Sequence, residues 1–286
     1  MNGVDIASHQ KDMDVTRIDA DFVIIKITQG DYYVNPSFDK HFNEAQRSGR
    51  LIGAYHYSNG LDVSAEVEHL ASHLIPYFGK VIVCLDWESN GSTINSGFNK
   101  EFKPSSEVDY VYKFVDLFYK KTGIYPFIYM SASVTRRSNW EKVAKNCPLW
   151  VAQYKNRDLT GYQENPYRDT KGLGAWKSEA IRQYTSSGTI KGYEQKEKGK
   201  LDLDKAYISK EKWLSYTKSI SKKKVTVDVV RDVIDGKYSS GQKRKENLEK
   251  AGYVYAEVQG KVNEIFDIRK RLNELKEEAG EYWSLV

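Results

Sequence analysis

Eight short apolar runs punctuate the first 205 residues, each of strand length: Gly3–Ser8, Phe22–Thr28, Leu51–Ser58, Val81–Glu88, Pro126–Ser131, Leu149–Tyr154, Ala180–Thr185 and Leu201–Asp204. Helical spacing fills some of the gaps. Phe38, Phe42 and Ala45 share a face before Gly49, and Val63, Val67, Leu70 and Leu74 share another. Val108, Val111, Val115 and Phe118 form a third, opening after Pro104 and closing at Gly123. Strands alternating with helices predict parallel pairing, and eight such strands predict closure into an α/β barrel. The stretches 155–179 and 186–200 have no helical period. The expected fold is therefore an irregular parallel (β/α) barrel, short of helices in its second half.

The pattern changes after residue 220. Ser221-Lys222-Lys223-Lys224 is polar and basic and reads as a linker. Val227, Val230, Val233 and Ile234 then mark a helix stopped by Gly236, a second spans about Gln242–Ala251 before Gly252, and a third uses Val258, Val262 and Ile265. The predicted division is a barrel over 1–220, followed over 221–286 by linker, three-helix bundle and C-terminal helix. In that last helix Ile268, Leu272, Leu275, Ala279 and Tyr282 recur at spacings of four and three among charged residues. Two readings fit: a helix folding back on its own bundle, or a heptad seam between two chains that makes a homo-oligomer.

Composition narrows the function. A chain of 286 residues with 40% hydrophobic content holds a large core and a small appendage. No apolar run approaches the roughly 20 residues that span a bilayer, so membrane insertion is not expected. Met1-Asn2-Gly3-Val4-Asp5 lacks a basic segment and an apolar one, so no secretory signal is read and synthesis in the cytoplasm is expected. Cys84 sits in an apolar run and reads as a buried thiol. The five histidines show no metal spacing, and neither metal nor cofactor is expected. The net charge of +5 is spread evenly, with 14 of the 44 basic and 12 of the 39 acidic residues in 221–286. That excludes the concentrated basic face of a nucleic-acid binder. The 21 Tyr and 6 Trp offer flat faces with polar handles, which suit sugar rings.

The most informative stretch is Val81-Ile82-Val83-Cys84-Leu85-Asp86-Trp87-Glu88. Residues i and i+2 of a strand share a face, so Asp86 and Glu88 lie side by side while Trp87 faces away. Two adjacent carboxylates repel, and one is expected to keep its proton near neutral pH, the pairing that glycosidic cleavage uses. Polar residues recur where the other strands end: Asp5, Lys26, His56, Tyr129, Gln153, Gln183 and Asp202. In a parallel barrel those ends surround one mouth.

Taken with Gly3-Val4-Asp5-Ile6-Ala7-Ser8, Phe22 to Gly30, Gly53-Ala54-Tyr55-His56-Tyr57, Leu149 to Tyr154, Gln183-Tyr184-Thr185 and Leu201-Asp202-Leu203-Asp204, the pair resembles glycoside hydrolase family 25, the lysozymes of phage endolysins and bacterial autolysins. The resemblance covers about residues 3–208. It implies hydrolysis of the bond between N-acetylmuramic acid and N-acetylglucosamine in bacterial peptidoglycan, with Glu88 as general acid. Asp86 would either orient the 2-acetamido group or activate water. Asp5 and Asp202 would anchor the sugar and stabilise charge at C1. Lys26, His56, Tyr57, Tyr129, Trp150, Gln153, Tyr154 and Gln183 are the candidate substrate contacts, with barrel packing the competing role for Trp150. Gln29 and Asp204 stand where the family usually has Glu and Asn, and both are expected to be peripheral to the acid pair.

Val233 to Tyr238, Arg244 to Leu248, Ala251-Gly252-Tyr253 and Val258 to Asn263 resemble one copy of the Cpl-seven-type cell-wall-binding repeat, over about 225–266. Arg244 is the candidate contact to muropeptide, with Tyr238 as an apolar wall. The two resemblances imply an endolysin released to the wall by a membrane-permeabilising, holin-type partner. A non-catalytic peptidoglycan-binding protein is the alternative.

Overall fold

The computed structural model describes residues 1–88, 104–193, 201–218 and 223–283. Its first half alternates as the periodicity predicts. Strand β1 (Asn2–Ile6) leads to β2 (Phe22–Gln29) and a two-residue β3 (Tyr33–Val34), then α1 (Phe38–Arg47), β4 (Leu51–Tyr57), α2 (Val63–Leu74) and β5 (Ile82–Asp86). After α3 (Pro104–Thr122) come β6 (Phe127–Ser131), the short α4 (Ala132–Arg137) and α5 (Glu141–Ala144), β7 (Leu149–Ala152), β8 (Ile181–Thr185) and β9 (Asp202–Ala206). The sheet order β1-β9-β8-β7-β6-β5-β4-β2 closes through a β1–β2 pairing, with β3 at the margin beside β2. Period two sorts the side chains. Phe22, Ile24, Tyr55, Ile82, Cys84, Phe127, Trp150 and Ile181 fill the barrel, while Val23, Ile25, Ala54, Val83, Leu85, Ile128 and Val151 face the outer layer.

One expectation needs correction. All pairings from β1 through β2 and β4 to β8 are parallel, but β9 runs antiparallel to both β1 and β8. A parallel return requires a crossover, usually a helix. The β8–β9 connection has no helix among its described residues and begins like a hairpin, Gly188 N–H donating to Leu201 O at 2.8 Å. The reversal has a functional effect: it brings the start of β9, rather than its end, to the mouth.

The far end is plugged. Helix α6 (Lys210–Tyr216) inserts Trp213, whose ring lies tilted against Phe22 at 4.9 Å and donates its indole N–H to Ile52 O at 3.3 Å. The helix-poor half is covered by segment 155–179. Trp176 packs into the outer core and donates to Cys147 O at 2.9 Å, and buried Arg182 donates to Gln153 Oε1 at 2.7 Å and Tyr167 O at 3.2 Å.

Helices α7 (Val227–Ile234), α8 (Gly241–Lys250) and α9 (Tyr255–Trp283) enclose a separate core of Val229, Val230, Val233, Leu248, Val258 and Val262. Residues 219–222, which include part of the expected linker, lie outside the described residues. Helix α9 rests on the turn after α2, where a side chain at Gly260 would stand 3.4 Å from Ile75 O. The expected fold-back of the C-terminal helix does not occur. Residues 256–279 contain no Pro and one Gly, at 260, so nothing breaks the helix at the edge of the bundle. Helix α9 runs on to Trp283, leaving Ile268, Leu272 and Leu275 at 66%, 48% and 50% exposure. The Tyr282 side chain is outside the described residues.

Gly174 anchors the covering segment to α4. Its φ is +62°, and a Cβ there would lie 1.9 Å from the Thr135 carbonyl oxygen. Backbone cannot yield as a flexible side chain can, and the left-handed conformation adds its own strain. Gly174→Ala is expected to destabilise the protein by about 1–3 kcal/mol, measured by urea unfolding. Unchanged stability would show that the segment is not held this way.

Candidate active site

Four consecutive interior positions follow from one strand. On β5, Ile82 and Cys84 point inward, so Asp86 does too, and Glu88 follows on the same side just past the strand. Trp87 points out and stacks at 5.2 Å on Tyr110 of α3. Asp86 is buried, and its Oδ1 has no hydrogen-bond partner among the described residues. On β2, Lys26 also points inward. Its Nζ donates to Gln29 Oε1 at 2.5 Å and lies 4.8 Å from the Tyr57 ring and 5.6 Å from Tyr33. It is the cation that acts on both Asp86 and Glu88.

The reversed β9 completes the ring. Asp202 pairs directly with Asp5 of β1, and two residues on Asp204 faces the same interior. Gln183 of β8 donates through Nε2 to Asp5 Oδ2 at 2.7 Å, and its Oε1 accepts from the Tyr129 hydroxyl at 2.8 Å and from the Tyr154 hydroxyl. Asp5, Lys26, Tyr57, Asp86, Glu88, Tyr129, Tyr154, Gln183 and Asp202 thus come together at one end of the barrel.

Burial dominates the electrostatics. It is the largest cause that raises Asp86, with the Glu88 charge adding and Lys26 opposing. Burial also raises Glu88 against Lys26. The sequence reading assigned that rise to surrounding carboxylates, but desolvation is its cause. Burial therefore favours a proton on this pair, and Lys26 favours the ionised form. Burial, then Asp5 and Glu88, push Asp202 up to about 9.

Three expected contacts lie elsewhere. His56 sits between the inward Tyr55 and Tyr57, so it faces out. It is fully buried, its Nδ1 paired with Thr28 Oγ1 at 2.9 Å and its Nε2 with Glu66 Oε2 at 3.2 Å, and it stacks on Phe114. Gln153 also turns outward, accepting from Arg182 and, at 3.3 Å, from Asp169 N–H. Trp150 does point inward but lies below the mouth at 2% exposure, edge-on to Tyr129, donating to Asp204 Oδ1 at 2.8 Å. Packing is its role.

Two contributors were missed. Asp204, expected to be peripheral, is fully buried inside the barrel. Glu66 gathers the loop after β4, accepting from Ser58 Oγ at 2.7 Å and Asn59 N–H at 3.0 Å. Its signal was a lone carboxylate on the apolar face of α2, one residue before Val67. In the bundle, Arg244 donates to Ser239 O at 3.0 Å and Gln259 Oε1 at 3.1 Å, and Tyr238 packs against the core.

Sequence comparison agrees with this geometry. The profile of Glycosyl hydrolases family 25 matches residues 4–193. The chain belongs to this family. The CW_7 repeat profile matches residues 228–266. The uncharacterized protein YegX of Escherichia coli is 27% identical over 202 residues, covering 67% of this chain and 65% of that protein. The chain thus spans just under two thirds of that relative's length. The lysozyme of Streptococcus phage Cp-7 is 26% identical over 274 residues, covering 92% of this chain and 69% of that one. Among solved structures, the bacterial lysozyme of Streptomyces coelicolor superposes with a TM-score of 0.59 at 18% identity, covering 76% of this chain and 96% of that one. That likeness supports the barrel fold.

Asp202 makes a testable contribution to stability. In the unfolded chain it titrates near 3.8, in the folded barrel at about 9. Between those values only the unfolded state releases the proton, so its contribution to stability is lost as pH rises through the window. Asp202→Asn removes this penalty. Its stability relative to wild type, from urea unfolding, is expected to grow from pH 5 to pH 9. Identical pH dependence in the two proteins would refute the burial argument.

Proposed function

We propose that the chain is an endolysin-type N-acetylmuramidase that hydrolyses the β-1,4 bond between N-acetylmuramic acid and N-acetylglucosamine in bacterial peptidoglycan. The observation that carries this reading is the adjacent burial of Asp86 and Glu88 beside Lys26, at the mouth of a family 25 barrel. Likeness to the phage Cp-7 lysozyme extends over barrel and repeat, and it supports a phage role with release to the wall through a holin-type partner. Residues 1–220 act as the catalytic domain and 221–286 as the wall-anchoring one, with Arg244 and Tyr238 at the muropeptide contact.

In this mechanism Glu88 holds the shared proton and delivers it to the glycosidic oxygen as the C1–O bond breaks. Asp86, ionised with help from Lys26, takes the N–H of the substrate's 2-acetamido group on its free Oδ1. The amide oxygen then attacks C1, and water, deprotonated by Glu88, hydrolyses that intermediate. Asp5 lends negative charge toward C1. Asp202, protonated, donates to the sugar. Tyr57, Tyr129 and Tyr154 wall the groove.

Glu88→Gln is close in shape but has no proton to give. It is expected to fold normally and to lose at least ~100-fold in the clearing rate of purified walls. Near-normal clearing would remove Glu88 from its role. A wild-type protein that binds walls without releasing reducing-end muramic acid, read by mass spectrometry, would favour the non-catalytic alternative.

We further propose that the free part of α9 pairs with a second copy of the chain. Ile268, Leu272, Leu275 and Ala279 form an exposed stripe at four-three spacing, and the partner whose side chains interlock with it is a helix of the same repeat. Pairing would add avidity to a single wall-binding repeat. Light scattering at micromolar concentration is expected to give a dimer for the full chain and a monomer for one ending at Phe266. A monomeric full chain excludes this pairing.

A further inference from the structure

In a regular strand Lys26 and Gln29 would not meet, because side chains three residues apart point to opposite faces of the sheet. Yet the inward Lys26 ammonium donates to Gln29 Oε1 at 2.5 Å. The cause is a β-bulge. Between β2 and β4, Lys26 pairs with Tyr55, but Thr28 rather than Ile27 pairs with His56, so β2 holds one residue more than its partner. Ile27 and Thr28 both face outward, Ile27 into the outer core and Thr28 onto His56. Alternation resumes one residue late, with Gln29 on the side of Lys26.

The bulge is fastened from outside the barrel. Asn35, just past β3, donates its Nδ2 to Lys26 O at 2.7 Å and its backbone N–H to Ile27 O at 2.9 Å. The hydroxyl of fully buried Thr28 lies 2.9 Å from His56 Nδ1, and His56 Nε2 lies 3.2 Å from Glu66 Oε2. Burial raises the Glu66 carboxyl, but His56, Ser58 and Asn59 outweigh it and hold the group ionised. A carboxylate only accepts, so Nε2 carries the hydrogen and Nδ1 of the neutral ring accepts from the Thr28 hydroxyl. This buried relay fixes the outward turn of Thr28.

Glu66 reaches Gln29 by a second path. Its Oε1 accepts the Asn59 N–H at 3.0 Å, and Asn59 Oδ1 accepts Gln29 Nε2 at 3.4 Å. With its amide nitrogen turned to Asn59, Gln29 presents only oxygen to Lys26. The ammonium held there lies 4.8 Å from the ring of Tyr57, the residue that pairs with Asp86 between β4 and β5.

We propose that Thr28, His56 and Glu66 are positioning residues for the active site: they hold the β2 bulge, which brings Gln29 round to fix the Lys26 ammonium beside Asp86 and Glu88. All three lie outside the barrel interior and act on the acid pair through Gln29 and Lys26.

Thr28 separates this role from packing, because two small substitutions pull in opposite directions. Thr28→Val keeps the volume and loses the hydroxyl, whereas Thr28→Ser keeps the hydroxyl and loses a methyl. Packing makes serine the worse change, and positioning makes valine the worse. The first readout needs no activity: the ε-carbon and ε-proton NMR signal of Lys26 in the full chain carrying labelled lysine, assigned by its loss in Lys26→Arg. The signal is expected to keep its wild-type position in Thr28→Ser and to move in Thr28→Val, Glu66→Gln and Gln29→Met. A signal unmoved in Thr28→Val or Glu66→Gln, or moved at least as far in Thr28→Ser as in Thr28→Val, overturns the proposal.

The kinetic readout rests on the muramidase reading. In wall clearing, Thr28→Val and Gln29→Met are each expected to lose about tenfold, the scale of a hydrogen bond to a charged group, with Thr28→Ser within about twofold of wild type. Both losses pass through one ammonium, so the double variant should lose little more than either single one. Losses that multiply would put Thr28 on another route and overturn the proposal. Absence of clearing by wild type would refute the muramidase reading, while the Lys26 signal still decides the positioning.

Discussion

Asp5, Asp86, Glu88, Asp202 and Asp204 are enclosed in one barrel interior with Lys26 as their cation among the described residues. A closed sheet about eight strands round has little room for water below its mouth, so charge there cannot be screened cheaply. The interior therefore settles its excess by keeping protons. Which acids keep them is set by geometry: Lys26 acts on the β5 pair, Gln183 gives Asp5 a donor, and Asp204 has an oxygen with none. Proton donors and ionised acids thus coexist within a few residues of each other, with Lys26 as the cation of the β5 pair.

The direction of β9 makes this cluster possible. Were it parallel, its first residue would lie at the plugged end near Trp213, and the mouth would receive Ala206 instead of Asp202. The connection after β8 is thus as much a part of the site as the carboxyls it delivers. The covering segment has a matching role on the outside, where Gly174 and Trp176 replace the helix that a regular barrel would place over β7 and β8.

Much of this was legible in the chain. Apolar runs located all eight barrel strands to within two residues at each start, because a strand buried on both faces has a distinctive composition. The side-by-side placement of Asp86 and Glu88, with Trp87 turned away, follows from period two alone. The same rule, applied to Tyr55-His56-Tyr57, would have turned His56 outward, since two inward tyrosines leave the residue between them no other side. Strand direction was not legible: alternation predicts parallel strands, and only the absence of a helical period in 186–200 hinted otherwise. Asp204 escaped because its importance comes from contacts across the barrel, with Trp150 and Asp5, that no local pattern encodes. In α9, apolar spacing could be read but not its partner, so a fold-back and a free helix looked alike.

Helix α9 spans 29 residues, or roughly 44 Å at 1.5 Å per residue. The part beyond Phe266 is a rod of about 25 Å, exposed over residues 267–280 among the described residues. A rigid rod transmits orientation as well as distance. Whatever grips its far end is set at a fixed bearing to the repeat, and through the Gly260 contact to the barrel as well. The mouth of the barrel would then point in a direction chosen by that grip, so the terminal helix acts as a rudder as much as a tether.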